Sequence, residues 1–345
     1  MRIAQVMLAR NFGGAERSFV DTSRALAERS HEVLAICHKD FVKKESLEGI
    51  PNLTLKTVNS HGEWDVSTPH RLHKLILDFD ADVVHTQLKR AAWHTGRALR
   101  REKIPVIAKL HNYVALNKYR HIDMLIATTE DQKRHALNLG WPEQRVRVLP
   151  NFSRIEPAES AKQIQDGKIR ILSYGRYVQK KGFDLLLNAF ADILADGIDA
   201  ELVIGGSGPE LDNLKALSRK LGIKDRVNLG VWLDDVSQAL DHADLFVLPS
   251  LDEPFGIVVL EAMARGIPMV CTKTQGPSQI LSSENAYLTE KGSSQALAEA
   301  IKQSLSSRDE ASNKAQKALE LYRSKYYQQA IIPRLEKIYR LLISR

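Results

Sequence analysis

Short apolar runs alternate with amphipathic stretches along the whole chain. In the first half the runs are Ile3–Leu8, Val33–Cys37, Val83–His85, Val106–Leu110, Met124–Ala127 and Val146–Leu149. In the second half they are Ile169–Ser173, Glu201–Gly205, Val227–Leu229, Leu245–Leu248 and Pro268–Thr272. Runs this short and this apolar suit strands buried on both faces, so the pattern predicts βα units and parallel sheets. A polar, irregular stretch from Phe152 to Lys168, with Pro157 inside it, separates the two sets and reads as an interdomain linker. Each half opens in the same way, with a strand, a glycine-bearing turn and a helix. The expectation is an α/β chain of two doubly wound domains, over residues 1–155 and 165–325, with a cleft between them and ligands at the carboxyl ends of the strands. The closing segment, Lys314 to Arg345, is helical in pattern, and Pro333 should break or kink it.

The length of 345 residues agrees with two domains. Hydrophobic content of 43% and charged content of 26% are ordinary for a globular protein, and no run of about 18 apolar residues suggests a membrane span. Met1 to Leu8 reads as a first strand rather than a signal peptide. Cys37 and Cys271 lie in or beside apolar runs of separate halves, which predicts two buried thiols, no disulfide framework and no zinc site, as suits a reducing cytoplasm.

Charge changes the picture more. The net charge is +7, and residues 1–150 hold 24 Lys and Arg against 17 Asp and Glu, so the first half carries all of the excess. That points to an anionic partner: lipid headgroups, phosphorylated glycan or nucleic acid. Within this half, Lys89, Arg90, Arg97, Arg100, Arg101 and Lys103 surround Trp93 on one amphipathic segment. Such a segment can lie on an anionic membrane surface or form a solvated helix face. No recognition motif for nucleic acid accompanies it, so nucleic acid is not expected.

The densest candidate chemistry lies in the stretch Pro249 to Ala264. The apolar run Leu245–Leu248 reads as a buried strand, and Glu253 follows in the loop at its carboxyl end. Pro254 disfavours helical geometry at Glu253, so a helix should begin near Gly256 or Ile257, with Glu261 one turn in. Free N–H groups at that helix start form an anion site. Two carboxylates for hydroxyl groups, with backbone donors between them, suit a nucleotide-sugar. Either Glu alone is equally at home capping or solvating a core helix.

Three further turns follow strands. Gly13-Gly14-Ala15-Glu16 lets backbone approach a ligand, or is a plain βα turn. Gly175-Arg176, with Lys181-Gly182 after it, places two cations where a diphosphate would suit them, although Lys180 is the alternative if the register is off by one. Gly205-Gly206-Ser207-Gly208-Pro209 is a glycine-rich loop or a tight turn, and Trp232, soon after the Val227–Leu229 run, could lie near a base. The G-x-G-x-x-G dinucleotide fingerprint is absent, which argues against a nicotinamide-dependent oxidoreductase. Asp78-Phe79-Asp80-Ala81-Asp82 precedes a strand, at the edge away from ligands, so it is read as capping and solvation rather than a metal site.

Glu253-Pro254-Phe255-Gly256 with Glu261, taken with Gly13-Gly14-x-Glu16, Gly175-Arg176…Lys181-Gly182 and Gly206-x-Gly208-Pro209, resembles retaining glycosyltransferases of family 4. The motifs run from Gly13 to the closing helix in the expected order. The resemblance implies the GT-B fold, two Rossmann-like domains facing across a cleft. The first would bind acceptor, with the helix from about 326 to 345 packed back on it; the second would bind the nucleotide-sugar. It implies that Glu253 contacts sugar hydroxyls, that Glu261 contacts the ribose, and that Arg176 and Lys181 stabilise the departing diphosphate. Gly13, Gly14, Gly206, Gly208, Phe255, Gly256 and Ile257 would line the donor. His111, at the end of Val106–Leu110, would lie near the transferred sugar, although a lone His is also commonly structural. His85 falls in a frequent His-x-His pattern, but Gln87 stands at the second position, which argues against a catalytic His85. Gln279 replaces a Glu, and Asn151-Phe152 a frequent Asn-Gly.

The implied reaction is retaining, metal-independent transfer of a hexose or other sugar from a UDP- or GDP-sugar, with no cofactor besides that co-substrate. The acceptor would be a glycan or glycolipid, such as lipopolysaccharide core, at the inner face of the cytoplasmic membrane. The alternatives are a GT-B hydrolase or epimerase of the nucleotide-sugar and a non-catalytic membrane-surface adaptor that keeps the fold.

Overall fold

The computed structural model describes residues 1–344; Arg345, part of the closing segment read above, lies outside the described residues. The chain divides into two compact units, one of residues 1–152 with the chain from Gln328 onward, the other Ser153–Tyr327.

The first unit holds a parallel sheet of seven strands: β1 (Arg2–Met7), β2 (Glu32–His38), β3 (Leu53–Val58), β4 (Val83–Gln87), β5 (Val106–Lys109), β6 (Met124–Ala127) and β7 (Val146–Val148), in the order β3-β2-β1-β4-β5-β6-β7. Its helices are α1 (Gly14–Glu28), α2 (Ser67–Asp78), α3 (Leu88–Ala98) and α4 (Glu130–Asn138). The two-residue period of a strand sorts the apolar residues between two faces. Ala4, Val84 and Ala108 pack with Leu72, Ile76 and Ala91 of α2 and α3, while Ile3, Val83 and Ile107 pack with Leu26 of α1 and with Ile331, Ile332 and Leu335. Those last three belong to the closing helix, Gln328–Ile343, which runs through Pro333 unbroken. The expected break does not occur: burial of Ile331, Ile332, Leu335, Tyr339 and Leu342 along one face outweighs one lost backbone hydrogen bond.

The second unit repeats the plan with six parallel strands: β8 (Ile169–Tyr174), β9 (Ala200–Gly205), β10 (Val227–Val231), β11 (Leu245–Leu248), β12 (Met269–Thr272) and β13 (Tyr287–Thr289), in the order β10-β9-β8-β11-β12-β13. Helices α5 (Phe183–Ala195), α6 (Leu211–Lys220), α7 (Val236–His242), α8 (Ile257–Ala264), α9 (Pro277–Ile280), α10 (Ser294–Ser306) and α11 (Arg308–Lys325) complete it. In both sheets the strand order reverses beside the first strand, between β1 and β4 and between β8 and β11. Crevices at the carboxyl ends of such strands are where this class of fold binds ligands.

The stretch read as a linker is fastened to the second unit. Ser153 pairs with Tyr327, Ala158 N–H donates to Ala264 O at 2.8 Å, Lys162 N–H donates to Gly266 O at 2.8 Å, and Ile164 is buried in the core. Cys37 and Cys271 are free, buried thiols, one in each unit, and burial pushes both up to about 12. No helix among the described residues is long and apolar enough to cross a membrane.

Candidate active site

In the second unit the expected donor residues converge on the carboxyl ends of β8, β9 and β11. Gly175-Arg176 follows β8 and leads to a single tight turn, Gln179–Lys181. Gly182 then takes a φ of +64° and passes so close to the β11 loop that an added Cβ would lie 2.2 Å from Pro249 O. Leu251 N–H donates to Lys180 O at 2.8 Å, knitting the same two loops. Their proximity brings Lys181 Nζ onto Glu253 Oε2 as an ion pair, with side chains only 16% and 13% exposed. Lys180 pairs instead with Asp252 at 3.2 Å, and both of those side chains are over 40% exposed. Arg176 is exposed. A shielded cation and carboxylate in direct contact, with an open arginine on the same loop, can bind a diphosphate and an adjoining polyol together.

The helix after Glu253 starts where the sequence places it. Gly256 caps α8 at a φ of +89°, and no side chain caps the first N–H groups of the helix that Ile257 begins, the end of a helix that favours an anion. Phe255 is buried, and Gly276 N–H donates to Glu253 O at 2.8 Å. Glu261, one turn in, is fully buried, and its Oε2 accepts from Tyr174 Oη at 2.7 Å. Nothing in the sequence marked Tyr174, the last residue of β8.

The glycines of the β9 loop are required by neighbouring backbone. At Gly206, with φ +116°, a Cβ would lie 2.1 Å from Gly175 O, and at Gly208 2.4 Å from Tyr177 O. Gly175 N–H donates to Gly205 O and Tyr177 N–H to Ser207 O, at 3.0 and 2.8 Å, so the two glycine-rich loops form one platform. Trp232, just beyond β10, is 57% exposed.

In the first unit Gly13 and Gly14 begin α1 directly after β1; Gly13 is extended and offers no side-chain cap. His111 lies just beyond β5, and its Nε2 meets Gln87 Oε1, at the end of β4, at 2.6 Å. Burial, with Lys109 and His85 nearby, holds His111 well below the usual imidazole range. His85 is sealed inside: Nδ1 meets Tyr339 Oη at 2.7 Å, and burial first, then Lys109, pushes it down to about 3. The Asp78–Asp82 segment behaves as capping and solvation, since Asp82 accepts from Arg2 N–H at 2.7 Å and Asp78 pairs with Lys74. Among the described residues no three His, Cys, Asp or Glu side chains cluster as metal ligands would.

The basic segment is less open than its sequence suggests. Trp93 donates its indole N–H to Glu63 O at 3.0 Å, and Arg97, Lys118 and Arg120 stand over its ring. The aromatic that protrudes there is Trp64, 87% exposed, with Val66 beside it at 77%.

Two doubly wound parallel sheets on one chain are the architecture of the GT-B fold. Residues 12–156 match the model of Glycosyltransferase Family 4, and residues 155–320 that of Glycosyl transferases group 1. The lipopolysaccharide core biosynthesis glycosyltransferase LpsE of Rhizobium meliloti is 31% identical over 304 residues, covering 84% of this chain and 85% of LpsE. LpsD of the same organism, also a lipopolysaccharide core biosynthesis glycosyltransferase, is 28% identical over 84% of each chain. The crystal structure of Anabaena HepE in complex with UDP and glucose superimposes with a TM-score of 0.84 at 21% identity, over 98% of this chain and 99% of that one. The chain belongs to the family 4 glycosyltransferases.

Proposed function

We propose that the chain moves a sugar, with retention of anomeric configuration and without a divalent metal, from a nucleoside-diphosphate sugar to a saccharide or lipid-linked acceptor of the cell envelope, lipopolysaccharide core being the foremost candidate. The observation that carries this reading is the shielded Lys181–Glu253 pair beside the uncapped start of α8. Lys181 and Arg176 would take the diphosphate, supplying the positive charge that a metal supplies elsewhere, and would stabilise it as it leaves. Glu253, released from Lys181, would accept hydrogen bonds from sugar hydroxyls. Gly256 and Ile257 would offer backbone N–H groups, and Glu261 would set the ribose side of the site. His111 would contact the sugar near its anomeric carbon. No side chain stands out as a covalent nucleophile, so attack by the acceptor on the departing group's own face is the route to retention.

The names of LpsE and LpsD support the envelope acceptor, and the UDP and glucose of HepE support a UDP-sugar donor. An anionic membrane surface is proposed as the further partner of Lys89, Arg90, Arg97, Arg100 and Arg101, with Trp64 rather than Trp93 as its aromatic contact.

The test is transfer from UDP- and GDP-sugars to a core saccharide in the presence of a chelator, with the product anomer read by proton coupling. The proposal expects chelator-insensitive transfer with the donor's configuration kept. An inverted product, or activity abolished by the chelator and restored by metal, would refute it; free sugar as sole product would favour a hydrolase.

A further inference from the structure

The first unit carries a polar layer of which the proposed function uses only His111. Five polar side chains stand on one face of three adjacent strands: Gln5 on β1, His85 and Gln87 on β4, Lys109 on β5 and His111 just beyond it. In these strands most other residues are apolar and buried. Register pairs Gln5 with His85, and Gln87 with Lys109, so the layer is continuous. Helices cover it. Gln5 donates to Tyr339 Oη of the closing helix at 3.1 Å, which leaves the phenol proton for His85 Nδ1. Lys109 donates to Ser18 of α1 at 3.1 Å, and Ser18 Oγ reaches Asn151 at 3.4 Å. Asp21 of α1 acts on Lys109 through space, yet burial prevails and pushes the amine down to about 7.

His111 ends this layer. The charged or titratable groups that act on it are Lys109 and His85 of the strands; behind them Tyr339 meets His85 and Asp21 acts on Lys109. The strand neighbours disfavour an imidazolium, and no carboxylate pairs with the ring. An amide oxygen can only accept, so Gln87 Oε1 on Nε2 calls for a hydrogen there. Nδ1 of the neutral ring then keeps its lone pair. The backbone supports a fixed role for Gln87. It is fully buried, and the next residue, Leu88, takes a φ of +68°, which costs a leucine energy and turns the strand straight into α3.

We propose that Gln87 is a positioning residue that locks His111 as the neutral Nε2–H tautomer, so that His111 meets the bound sugar as a hydrogen-bond acceptor at Nδ1. This rests on the reading that His111 contacts the sugar, and its test separates the two. The full chain would carry 15N-labelled histidine, with His111→Ala assigning the signal, and long-range imidazole spectra would be recorded from pH 5 to 8. The lock requires an Nε2–H neutral pattern for His111 throughout, replaced by a tautomer mixture in Gln87→Ala. An Nδ1–H pattern or an imidazolium in the wild type, or an unchanged spectrum in Gln87→Ala, would overturn it.

In transfer assays Gln87→Ala should lower kcat about tenfold with a smaller change in KM, the cost of one ordinary hydrogen bond. Gln87→Glu sets a carboxylate on Nε2–H and raises the His111 pKa. Its activity should therefore fail at lower pH, where the ring is cationic and Nδ1 becomes a donor, and recover as pH rises. A pH profile identical to the wild type would count against the lock. Full activity in His111→Ala would instead remove the sugar contact, while the spectra alone decide the tautomer.

Discussion

At the scale of single residues, two adjacent lysines differ in shielding. Lys181 is 16% exposed and meets Glu253, whereas Lys180, its neighbour, is 42% exposed. Lys181→Ala should therefore cost about 10²–10³-fold in kcat, the scale seen when one preorganised donor to developing charge is removed. Lys180→Ala should cost less than about threefold, as exposed ion pairs contribute little. Steady-state kinetics of the two variants, with circular dichroism to confirm folding, decide this; equal losses would contradict it. Glu253, Gly256 and Lys181 were legible in the sequence because the chemistry sits in one contiguous strand-loop-helix unit and one short loop. Gln87, Lys109 and Tyr174 were not, because each closes an apolar strand rather than a glycine turn, and only packing shows its partner. One signal existed: polar residues at alternate positions, His85 with Gln87 and Lys109 with His111, in otherwise apolar runs.

At the scale of elements, packing explains what pattern alone could not. Strands β3 and β13 escaped the sequence: β3, Leu-Thr-Leu-Lys-Thr-Val, buries only one of its six residues, and β13 is three residues long, although the other two edge strands, β7 and β10, were legible. Interior strands, buried on both faces, announced themselves. The β9 loop makes a sharp prediction, since a Cβ at Gly206 would sit 2.1 Å from Gly175 O at a φ unsuited to side chains. Gly206→Ala should destabilise the second unit by roughly 2–4 kcal/mol in denaturant melts, and unchanged stability would mean that the loop yields freely. The closing helix carries another. Burial of Glu336 pushes its pKa up, but hydrogen bonds and charge from Arg29 and His31 outweigh burial and hold it below the usual carboxylate value. A depressed carboxylate stabilises the fold above its unfolded pKa and loses that contribution as pH falls through the folded value. Glu336→Ala should thus cost about 2 kcal/mol at pH 7, allowing for the exposure of Arg29, and progressively less below about pH 4. A deficit of the same size at both pH values would refute the ion-pair account.

At the scale of the whole molecule, membership of family 4 makes the chain a glycosyltransferase, and its charge is unevenly spread. All of the +7 excess lies in residues 1–150, where Trp64 and Val66 protrude among cations. Sedimentation with anionic vesicles should recover the protein in a salt-sensitive manner, and Trp64→Ala should weaken recovery more than Trp93→Ala, whose indole is already engaged. Equal recovery on neutral vesicles would dismiss the membrane partner. Fold class and the order of the motifs could be read from the chain because apolar runs and glycine turns are local. The course of the closing helix through Pro333 could not, because tertiary burial decides it. The most direct test of the central claim is a crystal structure with an intact nucleoside-diphosphate sugar. The account predicts diphosphate oxygens on Arg176 and Lys181, sugar hydroxyls on Glu253, and the Lys181–Glu253 pair opened. A donor bound elsewhere, with that pair still closed, would contradict it.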